Sequence, residues 1–132
     1  MIEHFDKIWW PESDLLGWDR QDDRLVLFVD LYMLNDHPQF GHREPADDLS
    51  RYYRLAKLII GGLQKPVELP SEQHAPQWDD ERKEYTPVGR IVDARLECDG
   101  RKLIVDVSGM RIENSITLET KSQSVDLVFE AF

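Results

Sequence analysis

Histidines and carboxylates crowd one stretch of this chain, where Asp36, His37, His42, Glu44, Asp47 and Asp48 fall between positions 36 and 48. Imidazole and carboxylate together are the usual donors for zinc or a similar ion, and an open site of that kind would make a metal-dependent hydrolase. Such chemistry needs several side chains converging on one point. The spacing here supplies no such convergence and contains no His-Glu-x-x-His helix, so a solvated polar loop is the simpler reading and no metal or cofactor is expected. His4 and His74 stand alone. Ser13, Ser50 and Ser108 lack the Gly-x-Ser-x-Gly turn of a hydrolase nucleophile, and no glycine-rich phosphate cradle is present. Carboxylate pairs are so abundant that no single pair stands out for acid/base work. No residue is therefore assigned a catalytic role.

The tryptophans offer a different chemistry, because Trp is enriched where binding energy concentrates. Trp9 and Trp10 adjoin Pro11, Trp18 lies in an apolar run, and Trp78 lies in a long polar excursion. Trp18 reads as core. Trp9, Trp10 and Trp78 either seal an open end of the fold or rim a binding surface. The charge is uneven as well: of a net charge of -10, residues 1–50 contribute -8, residues 51–89 contribute 0, and residues 90–132 contribute -2. Clustered Lys and Arg, which nucleic-acid binding requires, are missing, so no nucleic-acid partner is expected. Solubility alone accounts for an acidic surface. A surface for a basic protein would account for its concentration in one segment, and would draw on Trp9, Trp10, Asp22, Asp23, Asp36 and Trp78.

Elements that could position these residues follow from period-two alternation, the mark of a half-buried strand. A strand is expected around Leu15 to Asp19, and a longer one from Arg24 to about Met33 with Leu25, Leu27, Val29 and Leu31 on one face. Near the C-terminus, Val92, Ala94, Leu96 and Cys98 alternate with polar residues, Asp99-Gly100 suits a tight hairpin turn, and Leu103, Val105 and Val107 alternate again. Ile116 and Leu118, then Val125, Leu127 and Phe129, complete what reads as a four-stranded meander. Six of the seven prolines fall between Leu34 and Gly89, where Asn35 to Ser50 and Pro70 to Pro87 read as long loops. One segment is ambiguous. Leu49, Tyr52, Tyr53, Ala56, Ile59, Ile60 and Leu63 fit a helical stripe, yet Tyr52 to Ile60 also fits a strand, followed by a short strand at Val67 to Leu69.

Glu12-Ser13-Asp14-Leu15-Leu16, the strand Leu25 to Leu31, the stretch Arg54 to Leu63 and the closing meander together resemble a loose group of small bacterial β-rich proteins. Many of these are uncharacterised, and some are assigned as immunity proteins of polymorphic toxin systems. Where members of that group read His-Asp-Ser before the first strand, this chain has Pro11-Glu12-Ser13. The resemblance implies that Tyr52 to Ile60 is a strand.

The expected fold is therefore one mainly antiparallel β domain spanning residues 1–132, a sandwich or strongly curled sheet of about seven or eight strands with long loops and little helix. Cys98, the single cysteine, reads as a small core residue. No apolar run is long enough for a bilayer, Met1 to Trp10 does not read as a secretion signal, and a cytoplasmic location is expected. The expected function is a protein-binding domain, in the best case an immunity protein that neutralises a basic toxin. Self-association through an open edge strand at Val125 to Phe129, giving a homo-oligomer, is the second reading, and the metal-dependent hydrolase is the third.

Overall fold

Leu25, Leu27, Val29 and Leu31, every second residue of one strand, are all but completely removed from solvent, which is the burial that alternation demands of a sheet with one apolar face. The computed structural model describes residues 2–21, 24–40, 52–63, 69, 73–99, 101–109, 114–119, 125–130 and 132. Its strands are β1 Asp14–Gln21, β2 Arg24–Tyr32, β3 Tyr53–Ile60, β4 Gln77–Asp79, β5 Glu84–Thr86, β6 Gly89–Glu97, β7 Lys102–Ser108, β8 Asn114–Glu119 and β9 Val125–Val128. Seven of them form one antiparallel sheet in the order β8-β7-β6-β1-β2-β3-β9, and β4 and β5 form a separate hairpin. The 3-10 turns Phe5–Lys7 and Trp10–Glu12 lie ahead of β1, and no α-helix occurs among the described residues. The fold is thus the mainly β one expected, as a curled half-barrel rather than a sandwich.

The curl follows from chain length. β8 and β9 are the opposite edges of the large sheet, yet only residues 120–124 separate Glu119 from Val125. An extended chain of that length spans at most about 20 Å, whereas six strand spacings in a flat sheet come to about 29 Å. The sheet must bend to bring its edges within reach. Its inner face collects Leu15, Trp18, Leu27, Leu58, Ile60, Ile91, Leu103, Val105, Ile116 and Val125 into one core, and Ile2, Ile8 and Trp10 from the N-terminal segment join it.

Tyr53–Ile60 is a strand, so the helical stripe loses. β3 sits between β2 and β9, pairing with β2 from Leu25↔Ile60 to Tyr32↔Tyr53. Ladder bonds on both sides, with Ala56, Leu58 and Ile60 buried, outweigh a local helical preference. β2 is an interior strand, and its second face is partly covered: Val26 is buried and the Phe28 ring packs edge-on against Phe132.

Several expectations are corrected. The closing meander ends at β8, and β9 crosses to the other edge, where Val125 meets Ile60 and Leu127 meets Leu58; the curl makes this short crossing possible. The inward face of β6 is Ile91 and Ala94 rather than Val92 and Ala94, because a bulge between Ile91 and Asp93 inserts one residue and turns Val92 out to 50% exposure. The stretch Pro70 to Pro87 is not all loop, since it contains the β4–β5 hairpin, whose charged tip is an Asx turn with Asp79 Oδ1 accepting from the Glu81 and Arg82 N–H groups. Val67 and Glu68, in the short strand expected after Gly62, lie outside the described residues.

Cys98 is likewise not core. It is exposed in the β6–β7 turn, and the left-handed backbone falls on Cys98 and Asp99, at φ 54° and 57°. Strand pairing stops at Glu97↔Lys102, and the Arg101 N–H donates to the Cys98 carbonyl at 3.2 Å, closing the tight turn expected there. No helix among the described residues is long and apolar enough to cross a membrane.

Candidate functional site at the β9 edge

The N-terminal segment is pinned along the end of β2 by a short antiparallel alignment. Ile8 bridges Met33, the Trp9 N–H donates to the Tyr32 carbonyl at 2.8 Å, and the Leu34 N–H donates to the Lys7 carbonyl at 2.9 Å. Burial of Ile2 and Ile8 in the core holds it there. Continuing that register outward, His4 lies four positions before Ile8 and His37 four after Met33, and their rings do meet edge-on, with centroids 5.6 Å apart. His4 adopts a left-handed backbone, φ 56°, at the entry to the first 3-10 turn, a conformation that His tolerates better than most side chains. On the other flank, the His37 ring packs edge-on against Phe129, 5.4 Å away, immediately beyond β9.

These contacts frame a cleft of about 490 Å³ lined by Glu3 and His4, by His37, Pro38 and Gln39, by Ile59, and by Asp126 through Phe129. Side chains alternate between the faces of a strand, so a cleft on one face would meet only every second residue of β9. Four consecutive residues line this one, so both faces of the strand contribute, together with Ile59 of the neighbouring β3. The charged side chains of its lining are Glu3 and Asp126, both acidic.

His37 is the most constrained polar group of the cleft. It is 5% exposed, and its Nδ1 accepts a hydrogen bond from the Gln39 N–H at 3.0 Å. A ring nitrogen that accepts carries no proton, so in the neutral ring the proton sits on Nε2. That Nε2 is buried and has no partner among the described residues. Leaving such a donor unmet costs about 1–3 kcal/mol. Burial, and then the nearby His4, hold the His37 pKa below the usual imidazole value, with Asp36 acting weakly in the opposite sense.

The residues singled out from sequence fall elsewhere. Trp10 is 3% exposed and belongs to the core, packed against Phe5 with ring centroids 5.2 Å apart, so it cannot meet a partner. An apolar staple closing the half-barrel at its N-terminal end explains its burial better than a surface role. Trp9 and Trp78 are exposed, at 48% and 53%. Trp9 sits beside the end of β2, whereas Trp78 caps an aromatic chain through Tyr85 and Phe132 to Phe28, on the face of β2 away from the core. Asp36 borders the cleft without lining it and pairs with Lys7, which holds its carboxyl below the ordinary range. Asp22 and Asp23 lie outside the described residues.

Of the histidine and carboxylate loop, His42, Glu44, Asp47 and Asp48 also lie outside the described residues, and those described contain no group of three or more candidate ligands placed to hold a metal. Ser13 is completely buried and structural: its hydroxyl donates to the Trp9 carbonyl at 3.1 Å and accepts from the Tyr32 N–H at 2.9 Å. Its carbonyl receives the Ile91 N–H at 2.8 Å. It thereby ties the second 3-10 turn to β2 and β6.

No family model matches this chain, and no curated protein or solved structure matches it significantly.

Proposed function

We propose that this chain is a protein-binding domain that receives a basic segment of another protein in the cleft at the β9 edge. One observation carries the reading: the cleft has Glu3 and Asp126 as its charged lining, set beside the apolar Leu127, Val128 and Phe129, on a chain of net charge -10. An acidic molecule attracts a basic partner over a distance and speeds encounter, and apolar contact with ring and aliphatic surface then supplies most of the affinity. The resemblance to immunity proteins suggests a class of partner, a basic toxin neutralised in the cytoplasm.

Calorimetry with two short peptides of equal length, one alternating lysine and valine and the other glutamate and valine, tests this. The lysine peptide should bind and the glutamate peptide should not. Raising ionic strength from about 0.01 M to about 1 M, which shortens the screening length from about 30 Å to about 3 Å, should weaken binding. Replacing Glu3 and Asp126 together by Gln and Asn should do the same. Equal binding of both peptides, or indifference to salt, would overturn the electrostatic reading.

A further inference from the structure

One ring joins two parts of the cleft wall. His37, 5% exposed, lies between His4 of the N-terminal segment and Phe129 beyond β9, with ring centroids 5.6 and 5.4 Å away and both contacts edge-on. Its backbone belongs to a turn held by two bonds, from the His37 N–H to the Leu34 carbonyl and from the Phe40 N–H to the His37 carbonyl, each 3.0 Å. Those bonds fix the chain but not the ring. The ring is fixed by its own Nδ1, which accepts from the Gln39 N–H at 3.0 Å, and by the rings on its two sides.

This arrangement admits only the neutral imidazole. A protonated ring carries an N–H on each nitrogen and has no acceptor left, so protonation turns the Gln39 bond into two donors facing one another. It also puts a charge in a buried position, opposite the second imidazole of His4. The charged groups nearest the ring are Glu3 on the N-terminal segment, Asp126 on β9 and Asp36, which is paired with Lys7. These carboxylates favour a charged ring. Burial and His4 outweigh them, since the His37 pKa lies below the ordinary imidazole value.

We propose that His37 is an acid-released latch: while neutral, its ring joins the N-terminal segment to the chain beyond β9, and on protonation it leaves the cleft wall and lets the two part. His4 is set to follow. Its left-handed backbone, φ 56°, is costly for a residue with a Cβ and persists only where the surroundings over-determine it. Ile2 and Ile8 stay in the core, and Ile8 still bridges Met33. The release is therefore confined to the His37 ring, Gln39 and the residues around His4.

The latch itself needs no partner. Its effect on binding rests on the reading above: the released state lacks one wall of the cleft and adds positive charge there, so a basic partner taken up at neutral pH is let go in acid.

Nuclear magnetic resonance on the full chain, from about pH 8 to about pH 5, tests this. The imidazole carbons of His37 report its titration. The His4–His37 and His37–Phe129 ring contacts, read as nuclear Overhauser effects, should both disappear with that midpoint. The protection factor of the Gln39 amide should fall about two- to tenfold, the equivalent of one net hydrogen bond, while the Leu58 amide keeps its protection. In His37→Gln, the Gln39 and Phe129 amides should no longer shift with the wild-type midpoint; should that variant not fold, the wild-type titration decides alone.

Ring contacts that persist after His37 has charged would overturn the latch. So would their loss only together with the protection of Leu58, because the chain would then be unfolding as a whole. Titration with the lysine peptide at both ends of the range separates the latch from the basic-partner reading. Binding at neutral pH that is lost in acid supports both. Rings that part in acid, with a peptide that binds at neither pH or equally at both, keep the latch and overturn binding in this cleft.

Discussion

The inner face of the half-barrel and the cleft at β9 use the same strands but satisfy their groups differently. Leu58 and Ile60 on β3 are completely buried among apolar side chains, and their burial leaves no polar atom wanting a partner. His37 is nearly as buried, yet its Nε2 donor has no partner among the described residues, and the ring stands in the lining of a cleft shared with Glu3 and Asp126. The contrast is one of degree, since the core itself holds the Trp10 Nε1–H without a partner among the described residues.

The largest effect should come from the inner face. Leu58→Ala is expected to cost about 2–5 kcal/mol, because a fully packed site leaves a cavity that neighbours fill only in part. Leu127→Ala, half-buried at the cleft, should cost clearly less. Urea unfolding of both variants measures the difference, and equal losses would mean that the cleft is packed like the core.

Ser13→Ala comes next, at about 1–3 kcal/mol, since it strips the Tyr32 N–H and the Trp9 carbonyl of one partner. Denaturation at constant pH reads this loss. A neutral result would show that the tie between the N-terminal segment and β2 rests on the backbone bonds alone.

A smaller effect should appear with pH. The His37 pKa is lowered in the folded chain, by burial first and then by His4, so folding favours the neutral ring. Its contribution is whole above the unfolded value of about 6.5 and is lost as pH falls through the folded value. The urea midpoint of the wild type should therefore drop between about pH 7.5 and about pH 5, and His37→Gln should flatten that part of the profile. An unchanged slope in the variant would assign the pH dependence to other groups.

The smallest effect on stability separates the acidic residue chosen from sequence from the one in the cleft. Asp36→Asn and Asp126→Asn should each leave the unfolding midpoint nearly unmoved, as surface substitutions do. In peptide titrations, however, only Asp126→Asn should weaken binding. Equal weakening by both would spread the recognition over the acidic surface as a whole.

How much of this was legible depends on the range of the interaction. The buried faces of β2 and β7 follow from alternation, since Leu25, Leu27, Val29, Leu103, Val105 and Val107 each obey a rule that operates within one strand. The Ile91–Asp93 bulge is invisible to that rule because a bulge is set by the partner strand. The jump of β9 from the meander to β3 depends on curvature accumulated over the whole sheet.

The cleft was legible least. His37 stood out only within a loop of histidines and carboxylates, and His4 seemed isolated. The register linking Ile8 to Met33 brings them together, and no local pattern announces it. Of the two roles open to the tryptophans, Trp10 takes the sealing one: a 3-10 turn beginning at Trp10 sends its ring inward and leaves the adjacent Trp9 in solvent, a difference that adjacency in sequence does not show.

The central claim, that the β9 edge is where this chain meets a basic partner, is tested most directly by mapping amide resonances during titration with the lysine peptide. The account predicts that the shifts concentrate at Glu3, His4, His37 and Asp126 through Phe129, while Trp9, Trp78 and the β6–β7 turn stay still. Shifts centred on Trp9 or on the Trp78 hairpin, with the cleft unmoved, would contradict it.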